Sequence, residues 1–283
     1  MTRIADLLAA GPTRSLEFFP PRTEEAELQL RAALAELGDL DLSFASVTYG
    51  ALGSTRSRTR DLVVQLNAEH PYPTMAHLTC VGHTRAQLQR LLDDYAASGV
   101  ENILALGGDP PENGDDAGDF AYASELVELI ADHPADFCVG VAAHPEVHPR
   151  SRDRASDRRH LAAKLRDADF ALTQFFFDAA EYERLVEELA ALGNTKPVVP
   201  GVMPFVTVAG LRRMSAMNGT AIPEGLERRL EGVADADVPE VGMEVATELC
   251  ERLLAAGAPG VHLYTLNRSG SVRRIWEALG PVR

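Results

Sequence analysis

Few residues in this chain are suited to chemistry, and they are unevenly placed. Glu17 sits in the run LEFFPP, a lone carboxylate among phenylalanines and prolines. A carboxyl group there is expected to be desolvated, which raises its pKa and suits it to donate a proton near neutral pH. A salt-bridged residue at a strand end is the plainer alternative. Asp109 closes the turn Gly107-Gly108-Asp109 ahead of two prolines. Its glycines let the backbone approach a ligand, so the carboxylate could bind a ribose hydroxyl or tune a cofactor ring, or simply stabilise the turn. His144, Glu146 and His148 alternate, but Pro145 and Pro149 interrupt them and no further ligand cluster accompanies them. Loop or ligand-binding histidines are expected there, and no metal. Phe175-Phe176-Phe177 is expected to pack in the core, and the acidic loop Glu112–Asp119 to be solvated or to act as a lid.

Elements that could position these residues recur along the chain. β-rich runs fall at Ser15–Phe19, Phe44–Thr48, Thr74–Leu78, Asn102–Leu106, Phe137–Ala142, Phe170–Phe175, Val198–Val202 and Val261–Tyr264. The first seven start about 30 residues apart, the size of one strand-helix unit. Between them, Leu88, Leu91, Leu92 and Tyr95 mark one helical face, as do Val241, Val245, Leu249 and Leu253. Gly38, Gly99, Gly193 and Gly257 read as left-handed helix stops. Eight such units predict an α/β fold, a single-domain (β/α)8 TIM barrel over residues 1–283. Extra helices are expected between the seventh and eighth strands, near Val208–Met217 and Pro223–Gly232; a doubly wound sheet is the alternative. In a barrel the chemistry lies at the C-terminal ends of the strands, where Glu17, Thr48-Tyr49-Gly50, His77, Gly107–Pro111, His144–His148, Gln174, Pro204 and Thr265–Arg268 all fall.

Composition narrows the partners. With 42 acidic against 27 basic residues the net charge is −15, which repels nucleic acid and anionic membranes. No run approaches the ~20 apolar residues of a membrane span. Cys80, Cys138 and Cys250 form no paired spacing and read as buried reduced thiols of a cytoplasmic protein.

The motifs LEFFPPRT, SVTYGALGSTR, AHLTCVGHT, NILALGGDPP, VGVAAHPEVHP, FALTQFFFD, PVVPGVMP and HLYTLNRS occur in that order. Together they closely resemble methylenetetrahydrofolate reductases of the short bacterial type, with a block at every expected strand. The resemblance implies a barrel binding FAD at its strand ends. NADH or NADPH would reduce the flavin, which would then reduce methylenetetrahydrofolate to methyltetrahydrofolate for methionine synthesis. It implies Glu17 as general acid, Asp109 as tuner of the flavin and Gln174 as a pterin contact. Cofactor contacts are implied at Thr48, His77, Leu106, Gly107, Gly108, Asp109, Tyr122, Ala123, His144, His148, Asp157, His160 and Lys164, and substrate contacts at Glu17, Gln174, Thr207 and Arg268. No C-terminal regulatory domain is expected, and a homo-oligomer is allowed.

Some positions depart from that pattern. Gly107 stands where the family usually has arginine, removing a cation from the flavin's neighbourhood. His144 replaces an aromatic residue, Ala162 or Ala163 a basic one, and Val208 an aromatic one. Two other readings therefore stand beside the first: direct hydride transfer from NAD(P)H to folate without flavin, and a non-catalytic folate- or nucleotide-binding barrel.

Overall fold

The computed structural model describes residues 2–49, 53–109 and 118–281, with nothing said of the side chains of 53–57. Gly50, Pro110, Pro111 and most of the acidic loop at 112–117 lie outside the described residues. Strands and helices alternate as the spacing predicts. The strands are β1 (Thr13–Phe18), β2 (Phe44–Val47), β3 (Thr74–Thr79), β4 (Asn102–Leu106), β5 (Cys138–Ala143), β6 (Phe170–Thr173), β7 (Val198–Val199), β8 (Gly201–Val202) and β9 (Gly260–Tyr264). All pair in parallel, in the order β7-β6-β5-β4-β3-β2-β1-β9-β8. The two ends of that list are one stretch of chain. Val198-Val199 pairs with β6 and Gly201-Val202 with β9, while the carbonyl of Pro200 between them accepts from His262 N–H at 2.9 Å. Proline has no N–H to give the ladder, so it splits the seventh barrel strand into two short pieces as the sheet closes.

The helices after β1 to β6 are α2 (Glu24–Leu37), α3 (Gly53–Glu69), α4 (Arg85–Ala97), α5 (Ala123–Ala131), α6 (Arg154–Asp167) and α7 (Ala179–Ala191). Thr23, Thr84, Asp153 and Asp178 cap α2, α4, α6 and α7 by accepting a backbone N–H from the first turn. The expected extra helices are α8 (Val208–Asn218) and α9 (Glu224–Leu230), followed by α10 (Val238–Ala255) and, after β9, α11 (Gly270–Ala278). Gly99, Gly193 and Gly257 take the expected positive φ, but Gly38 does not. It remains right-handed at φ −70° because the chain leaves α2 through a further turn, with Leu40 N–H on Leu37 O.

Successive strand residues face opposite sides. Leu16, Phe18, Ala45, Val47, Ala76 and Leu78 join the large cluster between sheet and helices. Phe44, Met75, Leu104, Cys138, Phe170, Leu172 and Val199 fill the barrel interior. The short helix α1 (Ile4–Ala10), not anticipated from the sequence, adds Ile4 and Leu8 to that interior cluster. Ile4 N–H donates to Asn102 Oδ1 at 2.8 Å, tying α1 to the start of β4. That end of the barrel is closed, which leaves the opposite mouth for chemistry. All three cysteines are buried and free.

Candidate active site

Parallel pairing sets Ser15 beside His262 and Phe44, and Glu17 beside Tyr264 and Ser46. Side chains at paired positions face the same side, so four strands send polar groups to one point. Glu17 Oε2 lies 3.5 Å from His77 Nε2 and 3.7 Å from His262 Nε2. Ser46 Oγ is hydrogen-bonded to the Glu17 carboxyl and lies 3.2 Å from His262 Nε2. Ser15 Oγ lies 2.7 Å from His262 Nδ1. The Tyr264 hydroxyl donates to Thr173 O at 2.7 Å. Gly201 makes room for it, since a Cβ there would lie 2.7 Å from the Tyr264 oxygen.

Burial dominates the electrostatics of this wall. It pushes the Glu17 carboxyl up to about 7, partly offset by His77 and by the hydrogen bond from Ser46. It pushes His77 down to about 4 and His262 to about 3, so both rings are neutral near pH 7. Burial and the nearby Glu17 hold the Tyr264 phenol well above its ordinary value. Glu17 is thus the group in this wall poised to gain or lose a proton near neutrality. Its side chain keeps 15% of its surface exposed, an outlet toward the mouth.

The desolvation of Glu17 expected from its sequence neighbours has a different source in the structure. Phe18 faces the helices and Phe19 is 37% exposed, so the flanking aromatics do not desolvate Glu17. Desolvation comes from across the barrel, from β2, β3 and β9. Nothing local in the sequence marks the partners Ser15, Ser46, His262 and Tyr264. Their signal was the alternation in HLY and FAS, readable only once strand register is known.

A brace holds the end of β1. Thr265 Oγ1 donates to Glu17 O at 2.6 Å, and Asn267 bonds both the N–H and the carbonyl of Phe19 at 3.1 and 2.8 Å. Leu266 and Asn267 adopt φ of 50° and 54°, left-handed values that are costly away from glycine. The strain aims the Asn267 amide back at β1.

The β4 and β5 ends make the facing side. Gly108 has φ +85°, and a Cβ there would press within 3.1 Å of Thr79 Cβ. Asp109 is exposed beside it. The space left by Gly107 is occupied: Arg150 Nη2 lies 3.7 Å from where a Cβ would be and donates to Gly108 O at 3.3 Å. The cation expected to be missing here is therefore supplied from the loop after β5. Arg150 N–H also donates to His148 Nδ1 at 3.0 Å, which puts the neutral ring's proton on Nε2. His144 stacks edge-on with His148 at 4.4 Å, and burial lowers both their pKa values, His144 to about 4. Arg158, 2% exposed, donates to the carbonyls of His144, Pro145 and Glu146 and pairs with Asp157 and Glu188. Asp157 in turn accepts from His148 N–H and Ser151 Oγ, so it anchors this loop. Glu146 accepts from Ala221 N–H, a structural contact.

Asp157, His160 and Lys164 recur at i, i+3 and i+7 on α6, with Asp157 buried and His160 exposed. Lys164 Nζ donates to Ala142 O at 3.1 Å, and burial lowers its pKa. Thr48 and Leu106 are half-buried near the ends of β2 and β4. Gln174 Nε2 donates to Asn218 Oδ1 at 3.1 Å, while its Oε1 accepts from Phe175 N–H. Tyr122 is 71% exposed just before α5, which Ala123 opens. Thr207 caps α8 by accepting from Gly210 N–H, and Arg268 is exposed after β9. Phe175 and Phe176 are core residues, as expected. Among the described residues no three His, Cys, Asp or Glu side chains converge as a metal site would need, and no helix is long and apolar enough to cross a membrane.

Comparison with known proteins agrees with this geometry. The family model for methylenetetrahydrofolate reductase matches residues 2–280. The 5,10-methylenetetrahydrofolate reductases of Pectobacterium carotovorum and Escherichia coli are each 35% identical, over 94% of this chain and 89% and 90% of theirs. Methylenetetrahydrofolate reductase (NADH) 1 of Arabidopsis thaliana is 35% identical over 98% of this chain and 50% of its own length. Among solved structures, an uncharacterised Clostridium thermocellum protein that binds two copies of 5-methyl-5,6,7,8-tetrahydrofolic acid superposes with TM-score 0.64 at 16% identity, covering 98% of this chain and 97% of that one. That last likeness bears on the fold.

Proposed function

The chain belongs to the methylenetetrahydrofolate reductase family, and we propose that Glu17 is its general acid and FAD its hydride carrier. It is an oxidoreductase that reduces 5,10-methylenetetrahydrofolate to 5-methyltetrahydrofolate with a pyridine nucleotide. The reaction adds a hydride to the methylene carbon and a proton to N10, the nitrogen released as the five-membered ring opens. Ring opening needs an acid that keeps its proton near neutrality and lies away from bulk water. The observation that carries the assignment is Glu17 itself, buried beside two neutral histidines with its pKa near 7.

Several residues fit a flavin at the mouth. His77 Nε2 is buried without a hydrogen-bond partner, Gly108 allows close backbone approach, and Arg150 and Lys164 offer positive charge to an otherwise acidic protein. Bound FAD supplies hydride carriage between nicotinamide and folate. The groups that would bind and orient it are Asp109, His144 and His148, with Thr48, Leu106, Tyr122, Ala123, Asp157 and His160, and Gln174, Thr207 and Arg268 would meet the folate. Its partners are small molecules, NADH or NADPH and folate, in a cytoplasmic setting that suits three free thiols.

The test is the visible spectrum and activity of freshly purified protein with and without added FAD. The expected result is flavin absorbance, with NADH oxidised by either menadione or methylenetetrahydrofolate in ping-pong kinetics. A colourless protein that gains neither absorbance nor activity from FAD contradicts the flavin assignment. Methyltetrahydrofolate formed by such a protein only when both substrates are bound would establish direct hydride transfer instead.

A further inference from the structure

The chain leaving α8 meets the mouth of the barrel through four consecutive residues. Asn218 Oδ1 accepts from Gln174 Nε2 at 3.1 Å. Gly219, left-handed at φ 68°, lies against Pro149, whose Cγ would be 3.0 Å from a Cβ there. Thr220 Oγ1 donates to Phe175 O at 3.2 Å, and Ala221 N–H donates to both carboxylate oxygens of Glu146 at 3.0 and 3.1 Å. The last three contacts dock the helix end against the segments that follow β5 and β6. The first reaches a side chain assigned to the folate.

We propose that Asn218 is a positioning residue for folate binding: it holds the Gln174 carboxamide in one orientation before the substrate arrives. The inference rests on Gln174 being a folate contact. A carboxamide can turn end for end, and its two ends offer opposite hydrogen bonds. Here backbone groups fix both amides. Phe175 N–H can only donate, so the Gln174 atom it meets at 2.9 Å is the oxygen, Oε1. Met214 O can only accept, so the Asn218 atom it meets at 3.0 Å is the nitrogen, Nδ2. The ends left to face each other are then Gln174 Nε2 and Asn218 Oδ1, donor to acceptor. Turning either amide over would break its backbone bond and also set like against like between the two side chains.

What Gln174 keeps for a ligand is one N–H and one lone pair on Oε1, both held in place. Without Asn218 the Phe175 N–H alone would restrain this half-buried side chain. Binding would then have to order the amide, a cost that the free protein now bears in advance.

The experiment is calorimetric titration of 5-methyltetrahydrofolate into the purified enzyme, with FAD added, for wild type, Gln174→Ala, Asn218→Leu and the double variant. Asn218→Leu keeps the size of the side chain but has no acceptor, and is expected to raise Kd about five-fold. In the Gln174→Ala protein the same change is expected to move Kd by less than about two-fold, because no amide is left to position. A role confined to the stability of α8 would persist in that background. An Asn218→Leu protein that binds like wild type, while Gln174→Ala binds weakly, overturns the proposal alone. So does a loss of equal size in the Gln174→Ala background. A Gln174→Ala protein that binds like wild type overturns the reading of Gln174 as a folate contact, and the proposal with it. Should Asn218→Leu not fold, Asn218→Ala takes its place in the same comparison.

Discussion

The two sides of the barrel interior are built from the same pleat but carry opposite chemistry. On β9, β1, β2 and β3 the inward positions include His262, Tyr264, Ser15, Glu17, Ser46 and His77, a polar wall in which His262 bridges Ser15 and Ser46. On β4, β5 and β6 they are Leu104, Cys138, Phe170 and Leu172, with Gly140 leaving room for the Phe170 ring. Charge on that second side lies above it, in Asp109 and Arg150 of the loops and Asp157 and Lys164 of α6. The contrast separates two tasks: a proton donor needs a buried polar network to set its pKa, whereas a flat cofactor needs a smooth floor and charges at its edge. Each variant below acts on one side and should spare the other.

The largest effect belongs to the polar wall. Glu17→Gln keeps the shape but removes the proton, and folate reduction should fall about 10³-fold. NADH oxidation by menadione, assayed in the same preparation, should stay within about two-fold of wild type, because no folate proton is involved. On the facing side, Arg150→Ala should weaken FAD binding about ten-fold, followed by flavin fluorescence, with Lys164→Ala similar or worse. Adding Gly107→Arg to the Arg150→Ala protein should restore much of that loss, since an arginine at position 107 starts from the space Arg150 leaves. Failure of both the loss and the rescue would mean that the cation near Gly107 serves only the loop. Within the smooth floor, Gly140→Ala puts a Cβ 2.7 Å from Phe170 Cζ. It should cost about 1–3 kcal/mol in denaturant unfolding while leaving the Glu17 pH limb unmoved.

The smallest effect is acid sensitivity. His77 and His262 have folded pKa values below the unfolded 6.5, so between pH 6.5 and about 4 the unfolded chain binds more protons and stability drops on acidification. Glu17 works the other way, gaining a proton in the fold between about 7 and 4.5. With His144, also lowered to about 4, three histidines against one carboxyl leave about two protons, or about 2.7 kcal/mol lost per pH unit, readable as a falling thermal midpoint. His262→Phe should remove about half of that slope.

How much of this was legible beforehand differs between the two sides. The strand-helix rhythm gave the barrel and the extra helices α8 and α9, because parallel strands and amphipathic helices each leave a local pattern. Glu17, Asp109 and Gln174 stood out because charge or amide groups interrupt apolar runs. The network behind Glu17 did not, since Ser15, Ser46 and His262 are far apart in sequence and meet only through register. The role of Arg150 was equally hidden: the sequence displays the glycine at 107, but not which loop fills the space. The plug α1 has Ile4, Leu7 and Leu8 spaced for a helix, a pattern too short to stand alone in the sequence.

The most direct test of the division of labour is one wild-type preparation assayed across pH 5.5 to 9 with two acceptors, NADH being the common reductant. The prediction is that methyltetrahydrofolate formation falls about ten-fold per unit above pH 7, while menadione reduction shows no limb at that pH. A shared limb in both assays, or none in either, would contradict an acid that serves only the folate side.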